Sequence, residues 1–402
     1  MKILIISHEY PPHVTSGPGR YIVNLTKELI EKGHKVTVIT PLVRGYGKTT
    51  KHEIDNGIEV HRLPLFQSEF LDNIIPDVIN KRFSFNTILK KFMKDFDLSR
   101  YDLMHIIDEH ISYFLNKDIA SKIPIAISIN AYYPLEISWN IFKFPYFATD
   151  LPLRYVYYMI NKMKMKRYLP LANAWISDTK YAANIVLNTT KVDKKGMNVV
   201  YKGKDLSKFS DKISEDKYQN QKILYVGGNM ERKGVVYLVM AMPIILKKYP
   251  KAKLTIIGRC SWLYQKKLEQ IIKKENLKEA VEFVPHVAPQ NIPKYFQDAN
   301  VFTMAPIIED LAQVLLEAMA TKTPVVCTDV GANGEGIIEG KTGFLVENKD
   351  YKGIAEKIIK LFDNPKLAKE FGNNGRERVK IIFEKERMFE ETLDIYKKIV
   401  TV

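Results

Sequence analysis

The feature that most constrains the fold is a regular alternation of short β-branched runs with longer helical segments. The chain opens with "KILIIS", continues with "GRYIVNLTKELIEKG" and returns to "KVTVIT", a strand, helix, strand unit. The same alternation resumes in the second half from "KILYVGG" onward. It predicts an α/β protein in which doubly wound parallel sheets are covered by helices.

The alternation is interrupted by a charged, lysine-rich interval between Lys202 and Lys222. At 402 residues the chain is too long for one ordinary core, so two domains are expected. We place the junction in this interval. The predicted organisation is an N-terminal domain over 1–200, a C-terminal domain over 201–380 and a final helix over 381–402.

Composition excludes several classes of protein. The sequence has no run of about 18 apolar residues that would span a bilayer, and its start, "MKILIISHEYPP", resembles a first strand more than a signal peptide. We therefore expect a cytoplasmic location. A net charge of +15 indicates an anionic partner, but no nucleic-acid-binding motif accompanies it, so nucleic acid is not expected.

The first strand-to-helix loop, "SHEYPPHVTSGPGRYI", carries Gly17 and Gly19 just before a helix. A nicotinamide-binding loop would begin its glycines directly after the strand and place an acid at the end of the second strand. Here the glycines come late, and the second strand ends in Thr40 and Pro41. Two interpretations stay open: the loop lets an anion approach backbone amides, or the glycines only shape a turn.

A second loop, "YVGGNMERKGVVYLV", follows the first strand of the second half. Gly227 and Gly228 remove side chains at the strand end, and Arg232 and Lys233 stand just before the next helix. Backbone N–H groups, a helix N-terminus and two cations together suit a diphosphate. The alternative is a solvated turn with an ordinary basic pair.

The stretch "IIEDLAQVLLEAMATKTPVV" places Glu309 and Glu317 at either end of an apolar run. We predict a helix that starts at Leu311, with Glu309 in the loop before it and Glu317 two turns in. The run is apolar nearly all round, which indicates a buried helix. A buried carboxylate needs hydrogen-bond donors, and sugar hydroxyls would supply them. The alternative places Glu317 in solvent.

A fourth loop, "DVGANGEGIIEGKTGFLV", contains Gly331, Gly334 and Gly336. Each glycine alone could serve an ordinary turn. Together they predict a loop whose backbone amides a ligand could approach, on one side of the same crevice.

These stretches, in this order, resemble the retaining nucleotide-sugar glycosyltransferases of the GT-B fold, the group related to sucrose synthase and bacterial phosphatidylinositol mannosyltransferases. The resemblance covers most of the chain and is most specific in "IIEDLAQVLLEAMATKTPVVCTDVGANGEGIIEGKTGFLV". It implies two facing Rossmann-like domains, with the acceptor in the first and the donor mainly in the second. It also implies that the last helix crosses back to the first domain.

The resemblance assigns roles by position. Lys233 would bind the leaving diphosphate, Glu309 would contact the hydroxyls of the donor sugar, and Glu317 would hold the ribose. The family's usual arginine after the loop glycine is Gly228 here, with Arg232 as a substitute from the neighbouring turn.

The chain departs from the family at further positions. The usual glycine, aromatic, glycine run after the first glutamate is Asp310, Leu311 and Ala312, and we include Leu311 and Ala312 among the donor-binding positions. The histidine usually found near the reacting carbon falls on Asn130, which can hydrogen-bond but cannot take a proton. His105, in "YDLMHII", matches another family position and is predicted to lie beside the active site.

We expect no cofactor and no metal ion for the reaction. The one Asp-x-Asp match, Asp95 and Asp97 in "KDFDLS", lies at the end of a lysine-rich helix, where solvated carboxylates are the simpler interpretation. Lysine and helix dipoles can neutralise a diphosphate instead.

Residues 131–168 combine aromatic and basic amphipathic character, with Val156, Met159, Ile160 and Met163 on one stripe. Such a segment is typical of a bilayer interface with anionic lipid, which predicts a lipid-linked or glycan acceptor and docking on the inner face of a membrane. The alternative is core packing of the stripe. A competing function is a catalytically silent nucleotide-sugar-binding partner subunit, suggested by Asn130 and the missing arginine.

Overall fold

The computed structural model describes residues 1–14, 17–42, 52–65, 77–129, 151–210, 212–213, 216–228 and 230–401, and only the backbone of 77–83 and 151–158. These residues form two compact units. The first comprises 1–200 together with 388–402, and the second comprises 201–387.

The first unit contains an eight-stranded sheet in the order β3-β4-β2-β1-β5-β6-β7-β8. Its strands are β1 (Lys2–Ile6), β2 (Lys35–Leu42), β3 (His52–Asp55), β4 (Ile58–Pro64), β5 (Leu103–Ile106), β6 (Ile125–Ile129), β7 (Ala174–Ser177) and β8 (Met197–Val199). All neighbouring pairs are parallel except β3 and β4, which form an antiparallel hairpin at the edge. The predicted parallel architecture is confirmed.

Helices cover both faces of this sheet because its strands are apolar on both faces. Those described are α1 (Gly17–Glu31), α2 (Asp77–Phe92), α3 (Lys117–Lys122), α4 (Leu151–Tyr168) and α5 (Lys180–Thr189). Strand β1 illustrates the arrangement, since Leu4 and Ile6 belong to one buried apolar cluster and Ile3 and Ile5 to the other. The run "KILII" is therefore buried throughout except for its first residue.

The second unit contains a six-stranded parallel sheet in the order β11-β10-β9-β12-β13-β14. Its strands are β9 (Lys222–Val226), β10 (Lys253–Ile257), β11 (Val281–Val284), β12 (Val301–Met304), β13 (Val325–Thr328) and β14 (Gly343–Val346). This is the strand order of a dinucleotide-binding Rossmann sheet. The doubly wound prediction is therefore confirmed for this half as well.

The helices of the second unit follow its strands in turn. Those described are α6 (Val235–Lys248), α7 (Trp262–Lys274), α8 (Ile292–Asp298), α9 (Gln313–Ala320), α10 (Asn333–Gly336), α11 (Tyr351–Asp363), α12 (Pro365–Ile382) and α13 (Lys385–Val400). Helix α13 begins in this unit, but from Met388 onward its residues belong to the first unit. No helix in the described part of the chain is both long enough and apolar enough to cross a bilayer.

The start of helix α9 corrects the sequence prediction. We predicted that this helix starts at Leu311, but it starts at Gln313, with Ala312 as its N-cap in an extended conformation. The physical reason is tertiary, because Leu311 is buried against the position of Gly336, where an added Cβ would lie 2.7 Å from Leu311 Cδ1. Packing holds Leu311 in the loop although its side chain suits a helix.

Candidate functional site

The second sheet has a switch point, where the connections that leave two neighbouring parallel strands run toward opposite edges of the sheet. Strands β9 and β12 are adjacent, but β9 is followed by β10 on one side and β12 by β13 on the other. Doubly wound sheets bind ligands outside the carboxyl ends of the strands at such a switch point. The loops that leave β9 and β12 carry Gly227, Lys233 and Glu309, so the structure brings these predicted residues to one edge.

Two glycines hold these loops against one another. Gly234 has φ +64°, and an added Cβ would lie 1.8 Å from the carbonyl oxygen of Ala305. Gly331 has φ +61°, and an added Cβ would lie 1.7 Å from the carbonyl oxygen of Glu309. The loop after β12 is therefore packed between its two neighbours without intervening side chains. Sequence reasoning had singled out Gly331 but not Gly234.

The charged groups of the site form a three-residue cluster. Lys233 Nζ lies 3.5 Å from Glu309 Oε2, and Arg232 Nη1 lies 3.4 Å from Glu309 Oε1. All three side chains are at most 19% exposed. Arg232 also donates from Nη1 to the carbonyl oxygen of Ile308 at 2.8 Å, and Ile307 N–H donates to Arg232 O at 2.9 Å. Two cations thus converge on one carboxylate, which leaves a net positive charge.

Gly227 and Gly228 keep the end of β9 open beside these cations. A Cβ added at Gly227 would lie 3.5 Å from Lys233 Nζ, whereas one added at Gly228 would meet no atom within 4 Å. The Lys233 amine is therefore close to the backbone of Gly227. The Cβ position of Gly228 is open, whereas that of Gly227 is lined by Tyr225 Oη and Lys233. A donor-binding role for both glycines stays a prediction.

Tyr225 is a buried polar group of the site that sequence reasoning missed. Its hydroxyl has no hydrogen-bond partner among the described residues, and a Cβ added at Gly227 would lie 3.1 Å from it. Burial, followed by the charge of Glu309, raises the pKa of Tyr225 well above its ordinary value, so the phenol stays protonated. Buried hydroxyls normally have a partner, which suggests that a ligand or water completes this one.

Helix α9 directs its N-terminus at the same edge. Its N-cap, Ala312, has no side chain that could cap the helix. Leu311 and Ala312 are themselves buried, and Ala312 N–H donates a hydrogen bond to Asn333 Oδ1 at 3.4 Å. The first helical turn therefore begins at Gln313, and its amides favour an anion. A donor-binding role for Leu311 and Ala312 stays a prediction.

Glu317 has a partner that the sequence did not reveal. Helix α9 is buried along Leu315, Leu316, Ala318 and Met319, as its apolar composition predicts. The Glu317 side chain, however, is 27% exposed, and its Oε1 accepts a hydrogen bond from Lys204 Nζ at 2.7 Å.

In the first unit, Gly17 and Gly19 form the first turn of α1. Gly17 has open space around its Cβ position, whereas a Cβ at Gly19 would lie 2.0 Å from Glu9 Oε2. Gly19 therefore allows the Glu9 carboxylate to reach the start of the helix. A donor-binding role for both glycines stays a prediction.

His105 lies within β5 and is fully buried. Its Nδ1 lies 2.5 Å from Tyr396 Oη and its Nε2 lies 2.8 Å from Ser128 Oγ. Burial lowers the pKa of His105 to about 3, which keeps the ring neutral. The ring thus links β5 to β6 and to α13, and its predicted place beside the reacting groups stays a prediction. Asn130 lies outside the described residues.

The first sheet also has a switch point, between β1 and β5, and it carries acidic residues that sequence reasoning missed. Asp108, Glu109 and His110 follow β5 after one residue, Ile107, and each is at most 8% exposed. Asp108 Oδ1 accepts a hydrogen bond from His110 N–H at 2.9 Å, and His110 Nε2 lies 3.6 Å from Glu109 Oε1. The available signal was the run "DEH" just after a strand.

Of the two carboxylates of the Asp-x-Asp match, Asp97 caps a short 3₁₀ helix. Its Oδ1 accepts hydrogen bonds from Ser99 N–H at 3.1 Å and from Ser99 Oγ at 2.6 Å. Asp97 thus has a local structural role.

The fold consists of two Rossmann-like α/β units, and comparison with known proteins gives the class. The Glycosyltransferase Family 4 model matches residues 15–208, and the model for Glycosyl transferases group 1 matches residues 207–378. The chain is a glycosyltransferase of the GT-B fold.

Individual relatives extend over the whole chain. An uncharacterized glycosyltransferase of Methanocaldococcus jannaschii is 26% identical over 410 residues, which cover 99% of this chain and 98% of the relative. The structure of sucrose-phosphate synthase from Thermosynechococcus elongatus has a TM-score of 0.75 at 20% identity and covers 100% of this chain and 99% of its own. The structure of Anabaena HepE with UDP has a TM-score of 0.73 at 15% identity, with coverages of 99% and 100%. The structural similarity supports the fold.

Proposed function

We propose that this enzyme transfers a hexose from a nucleoside-diphosphate sugar to a glycan or lipid-linked acceptor, with retention of the anomeric configuration. The observation that carries the proposal is the convergence of Lys233, Arg232 and Glu309 at the switch point of the second sheet. Crystallisation of the structural neighbour HepE with UDP supports a nucleotide donor. Retention and the hexosyl type rest on the sequence resemblance alone.

The diphosphate is proposed to bind at the backbone of Gly228 and beside Gly227. Lys233 and Arg232 supply two positive charges there, and the uncapped N-terminus of α9 supplies further partial charge. The leaving nucleoside diphosphate gains negative charge as the glycosidic bond breaks. Groups already held in place stabilise that charge most effectively, and we propose that they do so without a metal ion.

Glu309 is proposed to bind hydroxyls of the donor sugar. Its Oε2 accepts no hydrogen bond from the described residues, although it lies in ion-pair range of Lys233. A sugar hydroxyl could donate a hydrogen bond to Oε2. Glu317 is proposed to bind the ribose hydroxyls, with Lys204 holding one of its oxygens in place.

The acceptor side is proposed to dock on an anionic membrane. Met159, Ile160 and Met163 of α4 are at least 38% exposed, which removes core packing as the explanation for these members of the stripe. Lys166 and Arg167 near the end of the same helix are also exposed. Val156 lies among the residues with undescribed side chains, and 131–150 lies outside the described residues.

Donor binding and transfer are tested together. Calorimetric titration with a panel of nucleoside diphosphates identifies the base, and incubation with radiolabelled nucleotide sugars and a membrane extract measures transfer. We expect one diphosphate to bind and its sugar to move to extract material, with the product anomer determined by NMR. If no nucleotide binds, the proposed function is wrong. Tight binding without transfer or donor hydrolysis would instead favour the silent partner subunit.

Membrane docking has its own test. Flotation with liposomes that contain anionic lipid should carry the protein upward at low salt and release it at high salt. A variant with Met159→Ser, Ile160→Ser and Met163→Ser should float less, because it loses exposed apolar surface. Equal flotation with neutral and anionic liposomes, or none with either, would contradict the docking proposal.

A further inference from the structure

The β3–β4 hairpin at the edge of the first sheet gathers two histidines and a glutamate on one face. His52 of β3 lies directly opposite His61 of β4 in the antiparallel register. Glu59 precedes His61 by two residues on the same strand, and side chains two residues apart share a face of the sheet. The three ligand-forming side chains therefore come from both strands of the hairpin.

The polar atoms of these side chains converge on one point. His52 Nε2 lies 3.1 Å from Glu59 Oε1, and His61 Nε2 lies 3.2 Å from the same oxygen. One ligand atom from each of the three residues can be chosen so that all lie within 4.8 Å of one another. Ligands on a tetrahedral Zn²⁺ at about 2.0–2.1 Å are separated by roughly 3.3 Å, so only small adjustments are needed to admit an ion.

The carboxylate is oriented by a second layer of groups. Thr37 Oγ1 donates to Glu59 Oε2 at 3.0 Å, and Tyr101 Oη donates to Thr37 Oγ1 at 3.1 Å. These bonds hold Oε2 on the side of β2 and leave Oε1 toward the two imidazoles. Metal-binding carboxylates in proteins are commonly fixed by outer hydrogen bonds of this kind.

The chemistry of the group selects the class of ion. Two imidazole nitrogens with one carboxylate suit borderline divalent metals such as Zn²⁺ and Co²⁺ better than Mg²⁺ or Ca²⁺, which prefer all-oxygen sites.

We propose that His52 Nε2, His61 Nε2 and the Glu59 carboxylate bind one Zn²⁺-class ion, with water completing its coordination. Because the ligands come from both strands, the ion clips the short edge strand β3 to β4. The side chain of His52 is 55% exposed, which gives the ion a path from solvent. None of these residues takes part in the proposed sugar transfer, so the metal site is tested independently of that function.

The first test is metal uptake by the full-length protein without a histidine tag. After chelator treatment and dialysis, the protein is titrated with Zn²⁺ and the bound metal is measured by mass spectrometry, while Co²⁺ reports geometry through its visible absorption. We expect one ion per chain, tetrahedral Co²⁺ bands and a rise in melting temperature with Zn²⁺. Absence of stoichiometric uptake at micromolar Zn²⁺ would overturn the proposal.

Variants then locate the site. His52→Ala removes a partly exposed ligand and should weaken Zn²⁺ binding about 100-fold or more, and Thr37→Val should weaken it about 10- to 100-fold through the carboxylate alone. The matched control is His34→Ala, which removes a histidine elsewhere in the first unit and should bind like the parent. Equal loss in His52→Ala and His34→Ala, or loss in neither, would contradict the assignment. Glu59→Gln keeps the side-chain shape and must also lose affinity.

Discussion

The carboxyl edges of the two sheets carry opposite chemistry. At the switch point of the second sheet, Lys233 and Arg232 outnumber the single carboxylate of Glu309. At the switch point of the first sheet, the residues that follow β5 are the buried acids Asp108 and Glu109, next to His110. Among the described residues, the same architecture therefore places a mainly cationic cluster at one switch point and buried carboxylates at the other.

This difference bears on where the proposed donor binds. A diphosphate is stabilised by the cations of the second unit and would be repelled by carboxylates in a poorly solvated edge. We infer that the nucleotide binds at the second sheet.

The largest expected effect comes from removing the cation closest to the glycine loop. Lys233→Ala should lower turnover by about 100-fold or more, because it removes a preorganised charge from the leaving diphosphate. Steady-state kinetics and calorimetry with the nucleoside diphosphate measure the loss. The control is Lys248→Ala, which breaks an exposed ion pair with Asp363. Parental kinetics in Lys233→Ala would remove the basis for a cationic donor edge.

Substitution of Glu309 should lower the rate of sugar transfer without weakening the binding of the nucleoside diphosphate. Glu309→Gln loses a charged hydrogen bond to the sugar worth about 2 kcal/mol, so turnover should fall roughly 30-fold. Binding of the nucleoside diphosphate without sugar should stay equal or tighten, because Arg232 and Lys233 lose a competing carboxylate. Weaker nucleoside-diphosphate binding in this variant would show that Glu309 serves the diphosphate site instead.

Substitution of Glu317 should weaken nucleoside-diphosphate binding, with a smaller effect than the substitutions of Lys233 and Glu309. Glu317→Gln keeps hydrogen-bonding capacity in a side chain that is 27% exposed, so we expect a loss of about 1 kcal/mol, or roughly fivefold in nucleoside-diphosphate affinity. Calorimetry compares it with Lys204→Met, which should give a similar loss by releasing the same carboxylate. Inorganic pyrophosphate should bind both variants like the parent, and a loss there would contradict a ribose contact.

His105 should affect stability and its pH dependence. The folded pKa of about 3 lies below the ordinary value of 6.5, so the unfolded chain binds the proton that the folded chain excludes. Stability from this group is complete above pH 6.5 and falls as pH drops toward 3, by up to about 1.4 kcal/mol per pH unit.

Urea unfolding between pH 7 and pH 5 measures that slope. His105→Asn should flatten it, whereas Tyr396→Phe, which keeps the imidazole, should retain it. A slope in His105→Asn equal to that of the parent would show that other groups control acid stability.

Much of the fold could be predicted because its signals are local. A strand such as "KILII" is apolar at consecutive positions, which only burial on both faces explains. The approach of Lys233 to Glu309 was also predictable in outline, since each follows a strand and parallel strands end at one edge. Neither inference needed a contact between distant residues to be known beforehand.

The missed residues share a dependence on distant partners. Lys204 meets Glu317 across 113 positions of chain, and no local pattern links them. Gly234 is required because its backbone passes close to Ala305 on the next loop. The Tyr225 hydroxyl, which has no hydrogen-bond partner in the described part of the chain, is buried beside Gly227. The wrong start of α9 has the same origin, since Leu311 is held by packing on Gly336.

The amino-acid sequence by itself specifies the α/β class, the number of sheets and the loops that carry charge. These features depend on hydrophobic periodicity and strand ends, which are set by residues close together in the chain. Only the tertiary structure shows which charges pair and where the histidines of the edge hairpin meet Glu59. It also shows which buried hydroxyl has no partner among the described residues. Strand order and register set those distances, and residues far apart in the chain reach hydrogen-bonding range only after the sheets have assembled.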